Sequence, residues 1–378
     1  MTIRISRIAA IAALGVALPL AASAQTALST QLANDGTHAA DLHWINFDGV
    51  AMADLAVNTA YTAAVSNGAD PGFTLSFSLG DTDGNFATGT VPAGISLFGQ
   101  PGNYSQGGSV RLYVSAARGM SDTLNFTNIA VRNNAGQRMQ FQWGIADAER
   151  TNVASVVGNP DEEIDGVTNG ANWVELEMLA NPGTPNSTLE LTGSTFSIMG
   201  TGSGNYNAYL VSTKNPTAVS VTATTEVVTG SQEAMAFAVQ PLLPQVSVAC
   251  VQPRIATGQT SVCTVTVTNP LLDNFTIPVT VPASANYTTT CGTLNFAGSA
   301  SASVSQTCTV TATSSSASTV PVTVTPAPGI YAIQQDGQVL INQTAATAAA
   351  VPTLGEMAMA LLAMLLAGGA ALGLRRKG

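Results

Sequence analysis

Phe73-Thr74-Leu75-Ser76-Phe77-Ser78-Leu79 alternates apolar and polar side chains without a break. Successive side chains of an extended chain point to opposite faces, so this stretch buries one face and leaves the other to water. Period-two stretches return at residues 124–131, 219–223, 235–239, 262–268, 276–281 and 320–325, and Thr, Val and Ser dominate them. These residue types suit a pleated, half-buried surface, while Gly, Pro, Asn and Asp fill the intervals as turns. Away from the two ends no stretch has a helical period. The sequence predicts an all-β chain of the β-sandwich class.

Charge narrows the choice of partner. Lys and Arg number 12 against 22 Asp and Glu, and charged residues make up 9% of the 378, far below the roughly 25% of ordinary globular domains. Between residues 25 and 351 there are seven basic and 21 acidic side chains, a net charge of −14. A body of that sign repels phosphate backbones, which excludes nucleic acid.

Five basic residues sit at the ends, where they serve a membrane. Residues 1–24 place Arg4 and Arg7 before an apolar run from Ile8 to Leu20 and then Ala22-Ser23-Ala24. This is the three-part design of an export signal, cleaved after Ala24. At the other end 18 uncharged residues run from Met357 to Leu374 and are followed at once by Arg375, Arg376 and Lys377. As a helix that run reaches about 27 Å, close to the hydrocarbon thickness of a bilayer, and its basic tip stays in the cytoplasm. The predicted tail is one C-terminal transmembrane helix.

Composition changes at Gln240-Pro241-Leu242-Leu243-Pro244, where two prolines bracket a segment that can hardly continue a central strand. The boundary is placed there, giving residues 25–241 as the first folded unit, 245–341 as the second, 342–350 as a spacer and 351–378 as the tail. Residues 35–240 hold 19 acidic and six basic side chains and all three Trp, whereas residues 245–350 hold only Arg254, Asp273 and Asp336 as charges. All four cysteines, Cys250, Cys263, Cys291 and Cys308, lie in the second unit. Cys250, Cys263 and Cys308 are in phase with neighbouring valines, so their sulfurs should face the core. Export favours oxidation, and three pairings are possible. Cys250 with Cys263 and Cys291 with Cys308 is the favoured set, because each closes a short loop, of 12 and 16 intervening residues. On a loop-entropy argument each bridge is worth about 3 kcal/mol. Zinc is the competing reading, but the chain has no CxxC and no His near these positions.

Two resemblances add to this reading. Val351, Pro352, Thr353, Leu354, Gly355 and Glu356, followed by the apolar run and the basic end, resemble a C-terminal sorting signal of the IPTL type, with Val351 in place of the usual Ile and Met357 in place of the usual Trp. That resemblance implies an exosortase-type processing enzyme as partner, a membrane-embedded cysteine transpeptidase that cuts near the motif and passes the protein towards the surface. From Trp44 to Gln240 the order WINFDG (44–49), GFTLSFSL (72–79), LNFTNIAV (124–131), ADAERTN (146–152), TNGANW (168–173), AYLVSTKNPTAVSV and AMAFAVQ is similar to the lectin-like non-repetitive domain of CshA-type fibrillar adhesins. It implies a β-sandwich that clamps an extracellular glycoprotein or glycan ligand without chemistry. The second unit resembles the small immunoglobulin-like β-sandwiches of bacterial surface proteins.

Within the first unit the candidate ligand-binding residues are Asp147, Glu149 and Asn152, with Trp143 and Trp173 on either side. Aromatic faces beside hydrogen-bonding loops suit sugars and peptides, although most Trp residues in sandwiches are core. An acidic run follows at Asp161, Glu162, Glu163 and Asp165. Such oxygens can ligate Ca²⁺, and they serve equally in a solvated acidic loop, so calcium is the single cofactor alternative and none is required. Asp81-Thr82-Asp83-Gly84-Asn85 begins like a calcium loop but has Pro92 at its twelfth position, which makes it a turn.

No GxSxG elbow or Cys/His arrangement is present, so a serine or cysteine hydrolase is not indicated. Asp147 with Glu149, or Glu175 with Glu177, would share a strand face if extended, which leaves a carbohydrate-active enzyme as the third reading. A structural matrix or biofilm component is the second. The first is an exported cell-surface adhesin that binds a glycoprotein, glycan or matrix ligand.

Overall fold

The computed structural model describes residues 26–32, 36–47, 50, 59–65, 72–81, 87–91, 110–116, 121–147, 161–180, 187–201, 207–226 and 233–342. The export signal, the sorting motif at 351–356 and the expected tail helix lie outside these residues. Among the described residues every regular element is a strand, and no helix is long and apolar enough to cross a membrane.

The first half contributes β1 (Thr26–Leu32), β2 (His43–Asn46), β3 (Thr59–Val65), β4 (Phe73–Asp81) and β5 (Ala87–Val91). It continues with β6 (Val110–Ala116), β7 (Ser121–Arg132), β8 (Arg138–Asp147), β9 (Glu163–Thr168) and β10 (Val174–Ala180). It ends with β11 (Ser187–Thr192), β12 (Thr195–Gly200), β13 (Asn207–Lys214), β14 (Ala218–Thr224) and β15 (Glu233–Leu242). These join in one sheet in the order β10-β13-β8-β15-β2-β1-β3-β4-β7-β14-β9-β12-β11, with β6 beside β15 and β5 beside β6.

The sandwich expectation predicts two separate sheets; the structure has one continuous sheet that curls onto itself. A tight turn at 133–137 joins β7 to β8, which pair only beside it, at Val131↔Met139 and Arg132↔Arg138. Beyond that point β7 pairs with β4 and β14, and β8 with β13 and β15. This short seam closes a ring running β8-β15-β2-β1-β3-β4-β7. Right-handed strand twist splays the two strands, so the regions they lead face each other across one core. Phe77 of β4, Phe126 of β7, Trp143 of β8 and Phe237 of β15 meet there, with Phe126 at 5.0 Å from Trp143 and 4.6 Å from Phe237 between ring centroids.

Two local departures from the sequence reading have physical causes. The 124–131 stretch is not a clean alternation: Phe126 and Ile129 both face inward, because Asn128 sits at φ 55° where the register between β4 and β7 slips. Asparagine tolerates that left-handed backbone, and the bulge moves the phase by one residue. Pro241 does not break the chain from its sheet, since β15 continues to Leu242 with Pro241 opposite Phe141. The partner on its other side, β2, reaches only to Val239, so the missing proline N–H falls on a free edge.

The second half adds β16 (Gln245–Cys250), β17 (Arg254–Ile255), β18 (Thr260–Thr268), β19 (Phe275–Thr280) and β20 (Tyr287–Thr289). It closes with β21 (Thr293–Phe296), β22 (Ser303–Ala312), β23 (Ser318–Val324), β24 (Ala332–Gln335) and β25 (Gly337–Ile341). They form two five-stranded sheets, β20-β22-β18-β16-β24 and β17-β25-β23-β19-β21. Val246, Val248, Val265 and Val267 of the first meet Ile277, Val279, Val320, Val322 and Val339 of the second in the core. Disulfides join Cys250 to Cys263 and Cys291 to Cys308.

Only Leu243 and Pro244 separate β15 from β16, and the halves are bonded to each other. The register of β13 on β8 ends at Gln142 and Asn215 takes both backbone groups of Phe141, which leaves the edge of residues 138–140 to the segment 270–274. Leu272 N donates to the Arg138 carbonyl at 2.9 Å. Arg138 donates from its backbone N to Asp273 Oδ2 at 2.7 Å and from Nε and a terminal nitrogen to Oδ1 at 2.9 and 2.8 Å. The fully buried Gln140 donates from Nε2 to the carbonyls of Pro270, Ser299 and Ser301 at 2.9–3.1 Å.

Candidate ligand-binding pole

The β7–β8 turn defines one end of the first half, the end docked on the second half. The start of β7 and the end of β8 therefore lie together at the far end. Register carries other strand ends there: Asp147 is opposite Met235, Asp122 opposite Ala223, Asp81 opposite Leu124, and Glu163 opposite Thr224. Five carboxylate residues, Asp81, Asp122, Asp147, Glu162 and Glu226, are buried at this far pole. Concentrating acids there and placing Arg132 and Arg138 beside the opposite turn gives the first half an electrostatic polarity that composition cannot convey.

Between β13 and β11 the pole is tied by a polar clasp. Asn207 accepts from Ser187 N at 3.0 Å and donates to the Ser187 carbonyl at 3.1 Å. The Tyr209 hydroxyl donates to the same carbonyl at 3.3 Å. Burial raises the Tyr209 phenol above its ordinary value, and the carboxylates of Glu175 and Asp147 push the same way. The clasp satisfies both backbone groups of Ser187, the first residue of the edge strand β11.

The expected site residues fall in different places. Asp147 closes β8 at the pole and is buried. Glu149 and Asn152 lie outside the described residues. Trp143 is fully enclosed among Phe77, Phe126 and Phe237, and Trp173 is 3% exposed, packed edge-on against Phe196 at 4.8 Å. The Trp173 indole N–H donates to the Ser194 carbonyl at 3.0 Å. Both rings are core, so the expectation that they flank a ligand is corrected: their faces are used up in the aromatic cluster and the sheet-to-sheet contact. Of the acidic run, Asp161 is exposed, Glu162 buried, and Glu163 accepts from the Ser197 hydroxyl at 2.8 Å.

Glu175 and Glu177 do not share a face. A bulge between them sets Glu175 opposite Val211 and Glu177 opposite Leu210, and adjacent partners point to opposite sides. Glu177 accepts from Thr37 Oγ1 at 2.8 Å. The carboxylate pair that glycoside hydrolysis would require is thus split by one extra residue. Among the described residues no group of three His, Cys, Asp or Glu side chains is placed to hold a metal ion.

The sequence reading missed Asp81, Asp122, Glu162, Glu226, Ser187 and Asn207 as parts of one pole. Each lies within two residues of a strand's first or last residue, and that position at the boundary of an alternating stretch is the only signal that could have grouped them.

Residues 40–240 match the family "Surface adhesin CshA non-repetitive domain 2", and residues 349–376 match the IPTL-CTERM motif. Among solved structures the chain is similar to the N-terminal domain of the Streptococcus gordonii adhesin Sgo0707, at 11% identity and TM-score 0.27, covering 83% of this chain and 86% of that one. It is also similar to the type II cohesin dyad from the adaptor ScaA scaffoldin of Acetivibrio cellulolyticus, at 10% identity and TM-score 0.18, covering 61% and 96%. No curated protein matches it.

Proposed function

Because the chain belongs to the surface adhesin CshA non-repetitive domain 2 family and carries an IPTL-CTERM motif, it is an exported cell-surface adhesin, and we propose that it binds an extracellular glycoprotein, glycan or matrix ligand without catalysis. The observation that carries this reading is the family match over residues 40–240. The polarity of the fold supports a location for the ligand: the far pole, which holds the ends of β8, β9, β10, β11, β12 and β13 that the segments 148–160, 181–186 and 202–206 connect in sequence. Glu149 and Asn152 belong to the first of these segments and are the proposed contacts. The split of Glu175 from Glu177 favours binding over glycoside hydrolysis.

The proposed organisation is a removed leader at 1–24, the binding unit at 25–241, an immunoglobulin-like sandwich at 245–341 that carries it outward, a spacer at 342–350, and a tail at 351–378. The tail would cross the inner membrane once and present Val351 to Glu356 to an exosortase-type enzyme. Probing an array of glycans and matrix glycoproteins with the purified protein tests the binding reading. Saturable retention at discrete spots is expected; a blank array together with concentration-dependent self-association in light scattering would favour the matrix-component reading instead.

A further inference from the structure

The four cysteines form a single row. Cys250 is opposite Cys263 in the β16–β18 register, and Cys263 is opposite Cys308 in the β18–β22 register. The β20–β22 pairing, which ends at Thr289↔Val310 and extends through Thr290 N to the Thr309 carbonyl at 3.0 Å, brings Cys291 opposite Cys308. The disulfides occupy the two outer pairs of this row, Cys250–Cys263 and Cys291–Cys308. The middle pair is left unbonded.

Backbone directions fix the kind of pair each is. Val251 N bonds the Val262 carbonyl at 2.9 Å, so Val262 faces β16 and Cys263 turns its own N–H and C=O to β22. Cys263 and Cys308 are consequently a hydrogen-bonded antiparallel pair, whose Cα atoms lie about 5.5 Å apart, inside the usual range for a disulfide. Both middle residues are buried, at 0% and 2% exposure, while Cys250 and Cys291 are half-buried at the two ends of the row. At the Cys250 end β25 places Gly337 over the sulfur, and an added Cβ there would stand 3.3 Å from it. The same added Cβ would come within 2.8 Å of Val248 Cγ1, so β25 packs closely on this end of the row, and Cys250 keeps only the partial exposure of its own residue.

We propose that this row is a thiol-exchange site that takes a low-molecular-weight thiol covalently at an outer cysteine and shifts the internal bond to the middle pair. The thiolate attacks Sγ of Cys250, forming a mixed disulfide and expelling the Cys263 thiolate. That thiolate attacks Sγ of Cys308, forming the Cys263–Cys308 bond and expelling the Cys291 thiolate, which takes a proton from water. Two protein disulfides and one external thiol enter; one mixed disulfide, one internal disulfide and one protein thiol leave. No oxidant or reductant is needed. The row reads the same from its other end, so entry at Cys291 delivers the free thiol at Cys250. Burial of the middle sulfurs favours the second step, because a thiolate left in the core is costly and bond formation removes it.

The test incubates the purified protein with glutathione without oxygen, quenches with acid, caps free thiols with N-ethylmaleimide and maps the linked peptides by mass spectrometry. The expected product joins the Cys263 and Cys308 peptides, with glutathione on one outer cysteine and N-ethylmaleimide on the other. Glutathione that only opens an outer bond to two capped thiols, or leaves both bonds intact, overturns the proposal. A second arm uses Cys291→Ser, which frees Cys308 in the untreated protein. The expected map has Cys263–Cys308 with a capped Cys250; a persisting Cys250–Cys263 bond with a capped Cys308 contradicts it.

Discussion

Trp173 shows how far one side chain's role depends on what it meets. Its ring packs edge-on against Phe196 and its indole N–H is spent on the Ser194 carbonyl, so it fastens the entry of β10 to the β11–β12 hairpin. Phe196 in turn lies over Gly166, where an added Cβ would come within 2.0 Å of its ring. Trp173→Ala should therefore cost about 3–5 kcal/mol of stability, the range for emptying a buried aromatic site. Urea unfolding measures it. A loss of ligand retention with no change in the unfolding midpoint would contradict the assignment of this ring to the core.

At the scale of the element, the segment 270–274 on the open edge of β8 is the contact with a titratable signature. Hydrogen bonds from the Arg138 side chain and backbone hold the Asp273 carboxyl below the ordinary aspartate value of 3.8. A carboxyl depressed by folding stabilises the folded state fully above its unfolded value and loses that contribution as pH falls through the folded one. The midpoint gap between the native protein and Asp273→Asn is thus expected to be constant at neutral pH and to shrink between about pH 5 and pH 2. A gap that does not change with pH, followed by circular dichroism melts, would count against the ion pair as the contact that matters. Much of the strand inventory was legible in the sequence, since alternation such as that of Phe73 to Leu79 reports burial directly. Asn128, Pro241 and the bulge at Glu175/Glu177 were not legible, because each is decided by a neighbouring strand: where it ends, or where its register slips. The pole escaped for the same reason, as its carboxylates come from strands that are distant in sequence and adjacent only through pairing.

Taken whole, the molecule has two unlike ends. One end of the curled sheet is bonded to a nearly uncharged pair of sheets through Arg138, Gln140 and Asp273, and the other gathers buried acids and ends of the six strands β8 to β13. Such an arrangement suits a surface protein that must present a binding end outward on a stiff connection, because the β8 edge covered by the segment 270–274 and the three carbonyls held by Gln140 leave little freedom between the halves. The central claim is that ligand is held at the far pole without chemistry. Retention of the native protein and of a Glu149→Ala/Asn152→Ala variant on the same array of glycans and matrix glycoproteins tests it most directly. The account expects the native protein to be retained at discrete spots, and the variant to bind those spots at least about tenfold more weakly, a loss of roughly 1.4 kcal/mol or more, with an unchanged melting midpoint. Equal retention of the two proteins, or release of product from the spots, would contradict it.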